Sequence, residues 1–224
     1  ARATARHAAC DNIVDMIGMT RGPIADPYIV ETLMRGEEDR IRSCVGATYC
    51  SNFRYCIQNP ATARESSLPH QIEKNTYRQK KVVVVGGGPG GLEAARICAS
   101  RGHQVVLFEA ADKVGGQVLL AGKVRWRADL NTIINWLENE CQILGVDIRF
   151  NHLAESDDVL GENPDVAIIA TGGTPNTDWI KGNATVVSSW DVLSGIVPIS
   201  GSVLIHDLTG RNTALAVADL LSEQ

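Results

Sequence analysis

Residues 86–91 read Gly-Gly-Gly-Pro-Gly-Gly and satisfy G-x-G-x-x-G at Gly86, Gly88 and Gly91. Alone that pattern is weak. Here it follows an all-valine run, residues 82–85, and opens a segment of helical composition. The chemistry it offers is capture of a pyrophosphate. Gly86 allows a tight turn, Gly88 lets the backbone approach the phosphates, and Gly91 lets helix and strand pack closely. Pro89 and Gly90 belong to the same cradle, at the start of a helix whose free N–H groups and dipole favour negative charge. Glu109 stands 18 positions beyond Gly91, at the end of the next expected strand, where an acid meets a ribose hydroxyl. An acid there disfavours a 2′-phosphate, so NADP is not expected at this site. The plain alternative is a glycine-rich turn with no ligand, and the strand–glycine–helix–acid context speaks against it.

A second cluster is made of thiols. Cys44, Cys50 and Cys56 crowd into 13 positions, which reads as metal or redox chemistry before it reads as disulfide. Three thiolates alone do not complete a four-cysteine site, and the plain reading is three free thiols in a connector. Cys98 and Cys141 fall on apolar helix faces and are expected in the core.

The elements that must position these groups follow from periodicity. Residues 1–9 read as helix and residues 13–19 as a short buried strand. Asp26 and Pro27 set an N-cap and first-turn proline for a helix to about residue 34. Residues 40–80 show no clear period, and a connector of that length is usually functional or poorly ordered. From Lys81 onward, strand and helix alternate. Strands are expected at 82–85, 104–108, 146–150, 166–170 and 202–206, with helices at 90–100, 130–144 and from about 212. Gly102 and Gly145 serve as stops. That alternation implies an α/β fold with a doubly wound parallel sheet.

Composition sets the outer limits. The chain has 224 residues, 44% hydrophobic and 21% charged, the balance of a globular protein with a real core. A net charge of -5 favours neither nucleic acid nor an anionic membrane. No apolar run is long enough to span a bilayer, and no secretory leader is visible, so a cytoplasmic protein is expected. The chain starts without Met and stops in what reads as mid-helix, so a piece of a larger polypeptide is expected.

Residues 115–117 (Gly-Gly-Gln) and 170–173 (Ala-Thr-Gly-Gly) resemble the GGQ and ATG signatures of two-dinucleotide-domain flavoprotein reductases. They favour FAD or ADP over NAD. The whole chain resembles the C-terminal half of the multidomain enzymes related to old yellow enzyme, the 2,4-dienoyl-CoA reductase and trimethylamine dehydrogenase family. Residues 15–21 (DMIGMTR) and 24–27 (IADP) resemble its last barrel strand and phosphate loop. Residues 41–46 (IRSCVG) and 56–60 (CIQNP) resemble the two ends of its iron–sulfur segment. The likeness is closest to the dimethylglycine and N-methylproline demethylase group.

The resemblance implies four parts: the end of an FMN-binding β/α barrel over 1–43, a cysteine-rich connector over 44–80, an FAD- or ADP-binding domain over 81–201, and the start of a second, degenerate nucleotide-binding domain over 202–224. It implies that Arg21 binds the FMN phosphate and that Cys44, Cys50 and Cys56 ligate an iron–sulfur cluster. It also places Gly116, Gln117, Arg127, Thr171 and Gly172 with Gly86, Gly88, Pro89, Gly90, Gly91 and Glu109 at the dinucleotide. Ala47 stands where a further cysteine would complete the cluster, and the interval from Cys50 to Cys56 is short for the family. After residue 206 only Gly210 remains of a second fingerprint, and Thr209 and Arg211 put side chains into that turn.

The implied activity is flavin-dependent oxidation of a small amine, with the catalytic base outside this chain and electrons leaving to an electron-transfer flavoprotein-type acceptor. A homo-oligomer is expected. The alternatives are an NADPH-dependent enoate reductase and a non-catalytic module with structural ADP. By itself this stretch is expected not to turn over substrate.

Overall fold

The computed structural model describes residues 2–177 and 186–223. Residues 178–185, inside the span expected for the dinucleotide-binding domain, lie outside the described residues. The chain divides into two compact units, Ala1–His70 and Gln71–Gln224.

The first unit carries four short helices: α1 (Arg2–Cys10), α2 (Arg21–Ala25), α3 (Ile29–Met34) and α4 (Tyr49–Phe53). Its buried apolar side chains are few, namely Ala25, Ile29, Ile41 and Ala61 among the described residues. Polar groups do much of the joining. Asp26 is buried, and its carboxylate accepts the backbone N–H of Tyr28 at 3.0 Å and of Arg42 at 2.9 Å. That use of Asp26 explains why the expected helix begins two residues late, at Ile29 instead of Pro27: the carboxylate ties a turn to Arg42 instead of capping a helix at Pro27.

The strand expected over residues 13–19 is not formed. A strand is completed by ladder bonds to a neighbour, and no described strand pairs with this segment. Its apolar side chains Ile13, Val14, Met16 and Ile17 are exposed, Met16 at 89%.

The second unit is built on four parallel strands, β1 (Lys81–Val85), β2 (Gln104–Phe108), β3 (Asp147–Arg149) and β4 (Val166–Ile169), in the order β3-β2-β1-β4. The helices are α5 (Pro89–Ser100), α6 (Gln117–Ala121), α7 (Asn131–Ile143), α8 (Ser156–Gly161), α9 (Ser189–Ser194) and α10 (Asn212–Ser222). Val82 and Val84 of β1 pack with Leu92 and Ala95 of α5 and with Ile134, Leu137 and Cys141 of α7. Val83 turns the other way, to Val106 and Phe108, with Val159 of α8 against them. Both faces of the central strand are covered, which is why its sequence is continuously apolar rather than alternating.

The chain lays down β1, β2 and β3 to one side, then returns to place β4 on the far side of β1. A crevice therefore opens at the carboxyl ends of β1 and β4. A smaller cluster joins Val124 to Leu193 of α9 and to Ala216 and Val217 of α10.

The strand expected over residues 202–206 is also absent. Those residues run without a ladder partner among the described residues, and Leu204 is 94% exposed. Among the described residues no helix is long and apolar enough to cross a membrane.

Candidate functional site

Three loops converge at the crevice. The first is the turn between β1 and α5. Gly86 has φ +106°, a backbone that side chains rarely adopt, and a Cβ there would overlap the Ala170 carbonyl oxygen. A Cβ on Gly91 would overlap the Gly86 carbonyl oxygen and sit 3.3 Å from the Ala170 Cβ. These two glycines serve packing, as their spacing predicts. Gly88 differs: its φ is -69°, and a Cβ there meets no protein atom within 4 Å. A side chain at Gly88 would extend into the crevice itself. Gly88 also caps α5, so the amides of Gly88, Gly90 and Gly91 lie among the helix's first N–H groups, which have no intrahelical acceptor. A pyrophosphate suits such donors.

The second loop precedes α6. Gly115 and Gly116 both have positive φ, +127° and +50°. The Gly115 amide donates to the Gly87 carbonyl at 2.9 Å, and a Cβ on Gly116 would lie 3.4 Å from the Gly88 Cα. The third loop follows β4. Gln117 Nε2 donates to the Gly173 carbonyl at 3.2 Å, and a Cβ on Gly172 would lie 3.3 Å from that same nitrogen. A Cβ on Gly86 would lie 3.1 Å from the Thr171 amide nitrogen. Gly116, Gln117, Thr171 and Gly172 thus stand beside the glycine turn.

Glu109 lies just past β2. One carboxylate oxygen accepts the Gly87 amide at 2.7 Å and the other accepts the Ala111 amide at 2.8 Å. A carboxylate has about four acceptor positions, so roughly two remain for hydroxyls.

Some residues with a structural share in the crevice do not stand out in the motif. Gly87 occupies a variable place in the fingerprint, yet a Cβ there would lie 2.7 Å from Glu109 Oε2 and 2.8 Å from Val114 Cγ1. Val114 itself is buried, and Gly173 accepts the Gln117 bond. Their signal in the sequence is only adjacency to the three motifs.

The remaining expected site residues are on other elements. Arg127 lies on a 3-10 turn, Arg125–Leu130, with its guanidinium 5.7 Å from the Trp126 ring centroid. Arg21 is exposed at the first position of α2, in the other unit. Cys44 Sγ accepts the Gly46 amide at 3.4 Å, and Cys50 sits within α4. Among the described residues no group of three or more His, Cys, Asp or Glu is arranged to hold a metal ion.

The base of the cysteine loop is nonetheless well defined. Arg42 donates through Nε to the Ala25 carbonyl at 3.0 Å and through Nη1 to the Gln58 carbonyl at 2.7 Å. Gln58 Nε2 donates back to the Ser43 carbonyl at 2.7 Å. Asn59, 2% exposed, donates to the Ile24 carbonyl at 2.9 Å. Inside the loop, the rings of Tyr49, Phe53 and Tyr55 stack with centroids 5.5–6.0 Å apart.

Comparison with known proteins agrees with this geometry. Residues 80–195 match the family model described as pyridine nucleotide-disulphide oxidoreductase. The chain is 50% identical over 218 residues to a multifunctional alkene reductase/demethylase OYE of Caballeronia cordobensis, covering 97% of this chain and 32% of that protein. It is 47% identical over 227 residues to a probable N-methylproline demethylase of Rhizobium meliloti (strain 1021), covering 98% of this chain and 33% of that protein. A solved 2-naphthoyl-CoA reductase in complex with 2-naphthoyl-CoA superposes with a TM-score of 0.87 at 30% identity, covering 100% of this chain and 35% of that one. The chain therefore spans about a third of the length of the curated relatives it matches. A parallel sheet that places three glycine-bearing loops at its switch point, and a model match across most of that unit, lead to one conclusion: the chain belongs to the pyridine nucleotide-disulphide oxidoreductase family.

Proposed function

We propose that residues 71–224 bind ADP or the ADP half of FAD, within a flavin-dependent oxidoreductase of the amine dehydrogenase and N-demethylase type. The observation that carries the binding reading is Gly88, whose missing side chain leaves the crevice open beside unbonded helix-start amides. Gly86 and Gly91 shape the turn, Pro89 and Gly90 start the helix, and Glu109 takes ribose hydroxyls. Gly116, Gln117, Thr171 and Gly172 line the way onward to the flavin end. Arg127 is proposed as an outer cation for the same cofactor.

The demethylase reading of the larger enzyme rests on the likeness to the N-methylproline demethylase and the alkene reductase/demethylase. In such a reaction the N-methyl carbon loses hydride, and water converts the iminium to formaldehyde and the demethylated amine. A bound flavin supplies the hydride acceptor. FMN, with Arg21 on its phosphate, would stand at a barrel site that lies mainly outside this chain. Cys44, Cys50 and Cys56 are proposed as cluster ligands with a non-cysteine fourth ligand, on the ground of their spacing. Electrons would leave to an electron-transfer flavoprotein-type carrier. Six unpaired cysteines suit a reducing, cytoplasmic setting, and a homo-oligomer is proposed. The second reading, an enoate reductase, is favoured by the alkene reductase and 2-naphthoyl-CoA reductase likenesses.

Two measurements test this. Mass spectrometry of the nucleotide released on denaturing the purified protein should find ADP or FAD, and neither bound nor rebound nucleotide would sink the binding reading. Oxidation of N-methylproline or dimethylglycine with a dye acceptor, by a polypeptide as long as the relatives, should release formaldehyde. Reduction of enoates without amine oxidation would select the second reading.

A further inference from the structure

Glu109, the acid proposed for the ribose, sits on a turn held from outside by two main-chain bonds. The Asn151 amide donates to the Ala111 carbonyl at 2.9 Å, and the His152 amide donates to the Glu109 carbonyl at 2.9 Å. These residues follow β3, and Asn151 turns the chain at φ +53°, a left-handed backbone that Asn tolerates better than most side chains. Little apolar burial keeps the segment in place. Phe150 and Leu153 are exposed, and Ala154 adds only a methyl group to the cluster around Phe108. The His152 ring is the anchor. Its centroid lies 4.6 Å from that of the buried Phe108 ring, with the planes tilted by 36°. Its Nε2 lies 3.2 Å from Asp158 Oδ1 on α8. The other Asp158 oxygen accepts the Glu155 amide at 2.8 Å, which fixes the carboxylate in direction. That amide, and then the hydrogen bond from His152, hold the Asp158 carboxyl below the usual carboxylate range. A carboxylate only accepts, so Nε2 carries the hydrogen. The contact is a neutral hydrogen bond when the imidazole is neutral and an ion pair when it is protonated.

We infer that His152 is a positioning residue for nucleotide binding: stacked on Phe108 and tied to Asp158, it holds the Glu109 turn in place, more firmly when protonated. The inference rests on the ADP-binding reading. The other charged groups around the ring have partners of their own. Arg149, whose guanidinium lies 5.3 Å from the Phe108 centroid, is bonded to Asp147 and Glu162. Glu155 caps α8, and Glu109 accepts the Gly87 and Ala111 amides. Asp158 is therefore the anion that responds to the charge on His152. Imidazole side chains lose their proton between about pH 5 and 8. The ion pair is present at the acid end of that range and weakens to a neutral bond at the alkaline end, so ADP affinity falls as pH rises. Both side chains are partly exposed, which limits the effect to about fivefold.

The whole chain, His152→Gln, Asp158→Asn and the double variant are titrated calorimetrically with ADP at about pH 5 and about pH 8, the two ends of the imidazole range. Gln keeps a neutral donor but cannot titrate, and Asn keeps an acceptor for the Glu155 amide without the charge. The ADP phosphates titrate too, and the ratio of variant to parent Kd cancels their contribution. That ratio should be about fivefold at the acid end for either single variant and about twofold or less at the alkaline end. The double variant should lose no more than either single one, as expected for two residues acting through one contact. A ratio independent of pH, unchanged affinity, or additive losses would overturn the inference. Failure of the parent to bind ADP at all would instead sink the proposed function. Amide exchange without nucleotide then decides the inference by itself. At about pH 5 the Gly87 and Ala111 amides, which Glu109 accepts, should exchange faster in His152→Gln than in the parent, and equal rates would overturn it.

Discussion

The Gly87 amide donates to the Glu109 carboxylate at 2.7 Å, so the acid proposed for the ribose also anchors the loop proposed for the pyrophosphate. The two halves of an adenosine diphosphate site are therefore coupled through one side chain. Glu109→Gln keeps the volume but replaces one acceptor oxygen with a donor, which cannot pair with an amide hydrogen. Hydrogen bonds to a charged group contribute about 1.5–3 kcal/mol. ADP affinity should fall roughly 10- to 150-fold, with a small drop in melting temperature. Calorimetric titration of ADP decides it, and an unchanged Kd would show that Glu109 has a structural role alone.

Gly88 and Gly91 should separate binding from folding. Gly88→Val fills the crevice, so ADP binding is lost while the melting temperature holds. Gly91→Ala drives a methyl into the Gly86 carbonyl. Overpacking of that kind costs about 1–3 kcal/mol, or several degrees in the midpoint for a unit of this size. Parallel melting curves and ADP titrations of the two variants check the contrast, and a destabilised Gly88→Val with normal binding would reverse it.

Much of this division of labour was legible in the residues. The valine run, the glycine spacing and Glu109 specify a strand, a turn and a second strand whose geometry has few solutions, and the GGQ and ATGG segments fell beside them. What failed was strand formation at residues 13–19 and 202–206. Apolar alternation states what a segment will bury; a ladder needs a partner, and neither segment pairs with one among the described residues. Gly87 and Val114 escaped notice for a different reason: their importance lies in what a side chain would strike, which spacing does not encode.

Cys141 gives a pH dependence. Burial pushes its thiol up to about 12, against about 8.5 in an unfolded chain. The folded form keeps the proton longer, so the stabilisation is complete below the unfolded value and is lost as pH rises towards 12. The slope in that window is about 1.4 kcal/mol per pH unit. Urea unfolding between pH 8 and 10.5 should show it, and Cys141→Ala should flatten it. An unchanged slope in that variant would assign the effect to other groups.

Iron content tests the thiols. Anaerobic reconstitution should load iron and sulfide in the parent and much less in Cys44→Ser, while Cys98→Ser loads normally. Full iron in Cys44→Ser would rule out that ligand, and none in the parent would leave the loop a metal-free connector.

The clasp of Arg42 and Gln58 has a consequence for tolerance to change. Its bonds close the neck between residues 43 and 58 without using any residue inside the loop. Once such a neck is fixed, doubling the enclosed length costs only about 0.6 kcal/mol in closure entropy. Segments of quite different length can thus be threaded between the same two anchor points, with Ser43 and Gln58 still meeting and the surrounding backbone undisturbed.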